Sequence, residues 1–302
     1  MRIEATSFSG SSPYSEEMAK GVARKLRSSG RVYDLGFLFV TADYVSGVEE
    51  MCDILRVEGR IVNVVGCTGV GVTNTIREQE EGSGFSLLAL SLPGVEVKIL
   101  EIDSGDFYGG AGDGIRGGFG EGFACVPLIN PTALPADVWV DKWNQTHRGN
   151  LALGGLASAK NMEGVEVFVN GRCVSGGAVV GFRGGSLRMQ TVLSAGCRPI
   201  GEPLMVTSAE DNVIYALGAK PAYQVLESVF EELSDEEKSV ARGNIMAGLA
   251  TNEYLEEFRA GDFQIRNILG ADPNSGAILI GGKSRVGQTL QYQYRDHRTA
   301  SE

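Results

Sequence analysis

The chain has 302 residues, 43% of them hydrophobic and 22% charged, with a formal net charge of −11 and five cysteines. That charge repels phosphate backbones and anionic lipid, and Lys and Arg form no basic stripe, so neither nucleic acid nor a membrane surface is an expected partner. The apolar runs fall far short of the roughly 20 residues of a spanning helix, the N-terminus lacks a secretory pattern, and the cysteines never pair as C-x-x-C, so a reducing, cytoplasmic setting is expected.

The spacing predicts a first helix over 13–29, capped by Ser12, with Pro13 at its first position, Glu16 and Glu17 in its first turn and Gly30 past its end. Tyr14, Met18, Val22 and Leu26 give it one apolar stripe. A strand over 35–41 follows, then a helix over 46–58 with Val48, Met51, Cys52 and Leu55 facing inward. A strand over 60–65 runs into the sharp loop Gly66-Cys67-Thr68-Gly69-Val70-Gly71. Stretches 85–91 and 95–102, split by Pro93-Gly94, read as a hairpin.

The order then recurs. A strand over 124–130, a helix over 135–148 and a strand over 150–153 lead to Gly154-Gly155-Leu156-Ala157-Ser158, which begins 88 residues after the first loop. A second hairpin is expected from 177–182 and 186–194, turning at Gly184-Gly185. Repeats at about 35–102 and 123–194 predict two halves packed about a pseudo-twofold axis, with the glycine turns facing each other. Between them, nine of the nineteen residues in 104–122 are glycine. This segment reads as a mobile connector, because it lacks the Lys-Ser/Thr ending of a P-loop.

After Cys197 the pattern changes. A hairpin over 204–209 and 212–217 turns at Asp211-Asn212, a helix spans 221–233, and Ser234 caps a short helix. Strands are expected over 262–268, 276–280 and 288–295, the last with an uncovered outer edge through which two copies of the chain associate. The fold class is therefore α/β: mixed sheets with hairpins and flanking helices, in two pseudo-repeated halves plus a C-terminal α/β section.

Several stretches together resemble the FIST family, whose name stands for F-box and intracellular signal transduction. They are Phe37-Leu38-Phe39-Val40, the two glycine turns with the residue before each, Val167-Phe168-Val169-Asn170-Gly171-Arg172, Gly196-Cys197-Arg198-Pro199-Ile200-Gly201-Glu202-Pro203, Arg266-Asn267-Ile268-Leu269-Gly270-Ala271-Asp272-Pro273, and Arg285-Val286-Gly287-Gln288-Thr289. The resemblance implies an N-terminal FIST domain over 1–205 and a C-terminal one over 206–302, shorter than is usual in the family. It also implies a sensory role, small ligands such as amino acids, and a signalling protein as partner; some members resemble haem-binding nitric oxide sensors.

The small residues of the two turns allow backbone N–H groups to converge on a ligand, although glycine serves equally to make the turns tight. Gly66, Cys67, Thr68, Gly69, Gly154, Gly155 and Ser158 are candidate contacts on that ground. Arg198, Arg266 and Arg285 sit in motifs, and guanidinium groups grip carboxylates bidentately. Asn267 and Asp272 would complete an amino-acid-like site, the alternative being internal salt bridges to Glu202 or Asp272.

Cys67, and Cys197 beside Arg198, are the thiols of an alternative reading as a cysteine-dependent enzyme, whereas Cys125 and Cys173 read as packing residues. Only His147 and His297 are available as bases. Trp139, Trp143 and His147 recur at i, i+4 and i+8 on one helical face. His147 therefore reads as a packing residue, with a haem-based gas sensor as a further alternative. The expectation is a small-ligand-binding sensory module without turnover and without a resident cofactor, its ligand lying between the repeats or under the C-terminal domain.

Overall fold

The structure, a computed structural model, describes residues 2–296 apart from 74–77, 111–113, 116, 192–195, 256 and 260; His297 lies outside the described residues. The chain is a mixed α/β protein that divides into two compact units, Met1–Gln190 and Thr191–Glu302.

In the first unit β1 (Glu4–Gly10) leads to α1 (Glu16–Ser28). The cap is Ser15, whose hydroxyl accepts the Met18 amide at 3.3 Å, so the helix starts later than expected and Pro13 stays outside it. Next come β2 (Tyr33–Val40), α2 (Val48–Val57), β3 (Ile61–Thr68), a short hairpin of β4 (Val72–Thr73) and β5 (Glu78–Gln79), and β6 (Phe85–Ser91). A second series follows: β7 (Glu96–Ile102), α3 (Ser104–Tyr108), β8 (Ala124–Ile129), α4 (Ala136–Thr146), β9 (Leu151–Ala152), β10 (Gly155–Leu156), β11 (Val167–Val169), β12 (Arg172–Val174) and β13 (Gly177–Arg183).

These strands build two large sheets, ordered β1-β6-β2-β3-β11-β12 and β10-β8-β13-β7, with β9 also on β8. In each, the central strand pairs parallel with the strand beyond its helix, β2 with β3 and β8 with β9 and β10. It also pairs antiparallel with the last strand of its series, β2 with β6 and β8 with β13. The outer strands match as well, β1 on β6 and β7 on β13.

Two expected hairpins are therefore corrected. β6 lies between β1 and β2 with both edges used, so β7 joins the other sheet and the chain crosses between sheets at Leu92-Pro93-Gly94. β13 lies between β7 and β8, and residues 184–191 form no strand; the rest of the expected second arm, at 192–194, lies outside the described residues.

The apolar patterns explain the stacking. β2 reads Tyr-Asp-Leu-Gly-Phe-Leu-Phe-Val with little polar alternation because both of its faces are buried. Leu38, with Val64 and Leu87, meets Leu26, Met51 and Leu55 of α1 and α2. Leu35 and Phe37 point the other way, into a core with Val65, Leu128, Ala178 and Val180 between the two sheets. Trp139, Trp143 and Phe107 of α4 and α3 cover Cys125 and Val179 on the far face of the second sheet. The unit is thus a four-layer helix–sheet–sheet–helix arrangement.

The described part of the glycine-rich connector is anchored, which corrects its reading as a free tether. Asp103 caps α3 by accepting the Asp106 amide at 2.9 Å. The Phe107 ring lies 3.9 Å under the Lys142 ammonium, and Phe119 packs on Trp143 and His147. Aromatic burial supplies what the glycines cannot.

The second unit contains β14 (Cys197–Glu210), β15 (Val213–Leu217), β16 (Lys220–Pro221), α5 (Ala222–Glu231), α6 (Asp235–Ala241), β17 (Ile245–Ala250), β18 (Phe263–Asp272), β19 (Ala277–Ile280) and β20 (Thr289–Arg295). Their order is β14-β20-β17-β18-β19-β15-β16, and β14 also pairs with β15, closing a ring of six strands. β20 is an inner strand: Ile200 of β14 lies opposite Tyr292, and Tyr292 opposite Ala247 of β17. The expected open C-terminal edge is therefore corrected, and with it the route to self-association. Ser234 and Glu237 form a reciprocal capping box on α6.

Candidate functional site

Both glycine turns start where one strand passes under its neighbour's backbone. A Cβ on Gly66 would lie 1.7 Å from the Leu38 carbonyl oxygen, and one on Gly154 would lie 1.8 Å from that of Pro127. Glycine alone admits such an approach, so each parallel pair can close tightly before the chain turns away.

The turns then meet. The Ser158 amide donates to the Thr68 carbonyl at 3.0 Å, and the Val70 amide donates to Ser158 Oγ at 3.2 Å. Thr68 Oγ1 accepts the Glu166 amide at 2.9 Å. These bonds hold the carboxyl ends of β3 and β10 side by side, the position at which parallel strands in α/β folds present ligands.

A cavity of about 390 Å³ opens at this junction. Phe39, Cys67, Val126 and Leu128 floor it and belong to the core between the sheets. Thr68, Gly69, Gly71, Val72 and Thr73 line one side, and Gly154, Gly155, Leu156 and Ser158 the other. Six of the seven candidates on the turns thus line one cavity, while Gly66 sets the strand approach beneath it. No charged side chain is among its described lining residues. A neighbouring cavity of about 620 Å³ shares Gly71, Val72 and Thr73 and carries Glu78, Glu80, Glu81 and Lys160.

Sequence reasoning missed three of the floor residues, Phe39, Val126 and Leu128. Their signal was available, because residues two apart on a strand share a face and Phe37 and Phe39 both point between the sheets. The hairpin of β11 and β12 also went unread. Asn170 and Gly171 turn it with φ of 53° and 88°, the pattern of a type I′ turn, and its first strand pairs with β3 below the cavity.

Four of the five thiols are buried. Burial pushes Cys67 up to about 12. Cys197 is also raised by burial, against a smaller lowering by Arg295. Cys52 and Cys125 are core residues, but Cys173 is exposed on β12, contrary to its reading as a packing residue.

The remaining candidates lie in the second unit. Arg198 pairs with Glu237 at 3.2 Å and donates to the Tyr294 hydroxyl at 3.2 Å, and Arg285 pairs with Glu253. These ion pairs are with Glu237 and Glu253, not with the Glu202 or Asp272 of the salt-bridge alternative. Arg266 lies against Gly282 and donates to the Ile265 carbonyl at 3.4 Å. Arg198 and Arg266 stand on β14 and β18, which are not hydrogen-bonded neighbours in the ring. Asn267 pairs in register with Met246, and its carbonyl accepts the Gly281 amide at 2.8 Å. Asp272 folds onto its own turn, where hydrogen bonds from Ser275 and Asn274 hold its carboxyl below the usual range.

His147 ends the aromatic column as expected from its spacing. Its ring stacks on Trp143 at 4.2 Å, Thr146 Oγ1 lies 2.9 Å from Nδ1, and a Cβ on Gly118 would be 3.6 Å from Nε2.

Residues 34–220 match the family described as the FIST N domain. Uncharacterized proteins of Mycobacterium tuberculosis strains CDC 1551 and H37Rv are each 37% identical over 176 residues, 58% of this chain and 46% of theirs. An uncharacterized protein of Mycobacterium bovis is 36% identical over 169 residues, 56% of this chain and 44% of its own. The chain spans about half the length of the curated relatives it matches.

Proposed function

The chain belongs to the FIST N-domain family, a family of sensory signal-transduction domains, and on that premise we propose that it senses a small ligand held in the cavity between its two glycine turns. The convergence of Cys67, Thr68 and Gly69 with Gly154, Gly155 and Ser158 on one cavity carries this reading. Its volume of about 390 Å³ falls within the ~300–1,000 Å³ range of small-molecule clefts. A ligand seated there would touch both turns and bias the hydrogen bonds that join them, which is the kind of change a downstream signalling partner can read.

Binding without turnover is favoured by the raised Cys67 and Cys197 thiols, and the His147 ring is buried in a stack on Trp143. The like pairing of the two sheets supports an origin by internal duplication, with the cavity at the junction of the copies.

The test uses Gly155→Leu. A Cβ on Gly155 meets nothing within 4 Å, so the variant should fold and fill the cavity. Freshly purified wild type should carry a small molecule in native mass spectra, or gain melting temperature from a compound in a metabolite panel, and the variant should do neither. Binding undiminished in Gly155→Leu, or no binding to wild type at all, would sink the proposal.

A further inference from the structure

Taking the cavity as the ligand site, we infer that its ligand carries a branched aliphatic or aromatic group of side-chain size, which enters between the two sheets and extends their apolar core. This rests on the function proposed above and adds the chemical class.

The floor comes from both sheets. Phe39 of β2 and Cys67 of β3 are register neighbours in the first, and Val126 and Leu128 lie two apart on β8 of the second, so each pair shares a face. All four belong to the core between the sheets, together with Phe37, Val65 and Val180. Cys67 and Leu128 are buried there, whereas Phe39 and Val126 are only half-buried. The cavity is thus the end of that core, where two apolar side chains keep surface to be covered. Facing sheets stand about 10 Å apart, room for one layer of interdigitating side chains. The Phe37 and Phe39 rings lie parallel at 6.5 Å, and a ligand group of similar size continues their row.

The turns add to this argument. Four amides that glycine turns would aim at a ligand are spent within the protein. Gly69 donates to the Val40 carbonyl at 2.8 Å, Val70 to Ser158 Oγ at 3.2 Å, Ala157 to the Ile129 carbonyl at 2.8 Å and Ser158 to the Thr68 carbonyl at 3.0 Å. These bonds fix the walls of the slot, and Val72 and Leu156 carry its apolar surface upward from the floor. Covering that surface is a source of affinity, worth roughly fourfold for each methylene a ligand buries.

Nine compounds separate the outcomes: alcohols, carboxylates and amines whose apolar group is methyl, isobutyl or benzyl. Each is titrated into labelled full-length protein while the amide resonances of Gly69, Gly71 and Gly155 are followed. In at least one head-group series the isobutyl or benzyl member should bind at least about tenfold more tightly than the methyl member, and its shifts should vanish in Gly155→Leu. Val126→Thr keeps the size of the floor but adds a hydroxyl, and should cut that ratio roughly threefold or more. If the methyl members bind as tightly as their larger counterparts and Gly155→Leu abolishes the binding, the apolar class is wrong and the cavity reading stands. An unchanged ratio in Val126→Thr, or a preference that persists in Gly155→Leu, removes the floor as the seat. No response to any of the nine overturns the inference, and the native mass spectra then decide the cavity reading on their own.

Discussion

Ser158 Oγ holds the Val70 amide at 3.2 Å, tying together two glycine turns whose joined residues lie 88 positions apart. The bond crosses between the two sheet systems at the cavity mouth. Val70 is exposed, so in Ser158→Ala water can replace the lost acceptor. Destabilisation should be about 0.5–1.5 kcal/mol in urea unfolding. A loss of several kcal/mol would show instead that the contact is a structural keystone.

Thiol reactivity should follow exposure. Cys173 is exposed, whereas Cys67 is buried and pushed up to about 12. Little of Cys67 would be thiolate near neutral pH, and its alkylation should rise as pH rises and the thiolate fraction grows. Site-resolved mass spectrometry with iodoacetamide should therefore find Cys173 labelled well before Cys67 or Cys197. Rapid labelling of either buried thiol near neutral pH would restore the case for a cysteine-dependent enzyme.

Local patterns were legible wherever one physical constraint dominated. The apolar stripe of α1, the inward face of α2 and the spacing of Trp139, Trp143 and His147 follow from helical period alone. Pairing was less legible, because a strand has two edges and sequence does not say which neighbour wins. Phe85–Ser91 and Glu96–Ile102 flank a turn suited to a hairpin, yet β6 fits between β1 and β2 while β7 pairs with β13. β1 was missed because Glu4, Thr6 and Ser7 give an edge strand a polar look. At the site, the glycine turns stood out, but Val126 and Leu128 on the cavity floor carry no chemical mark; only the packing of two sheets brings them there.

His147 should behave as packing. Removing its ring in His147→Ala uncovers Trp143 and Phe119 and should cost about 2 kcal/mol or more, whereas His147→Phe keeps the column and should cost less than about 1.5 kcal/mol. Thermal unfolding of the three proteins gives the comparison. A Soret band formed by wild type with haem and absent from both variants would instead make His147 a ligand.

Gly66 and Gly154 should fail on substitution for the same reason, and the neighbour of the second, Gly155, should not. In Gly66→Ala the new methyl would sit 1.7 Å from the Leu38 carbonyl oxygen, and in Gly154→Ala 1.8 Å from that of Pro127. Both obstacles are backbone, in central strands paired on both edges, so neither can be relieved by a side-chain rotation. The parallel pair must separate locally, breaking ladder hydrogen bonds, and each variant should lose roughly 3 kcal/mol or more. Gly155 lies next in the chain and pairs with Leu128, but a methyl there enters open space. Gly155→Ala should be neutral or gain up to about 1 kcal/mol through a less flexible unfolded chain. Urea midpoints for the three variants decide the matter. If Gly154→Ala is as stable as Gly155→Ala, the strands do not approach this closely at the second turn, and the structural likeness of the two turns is lost.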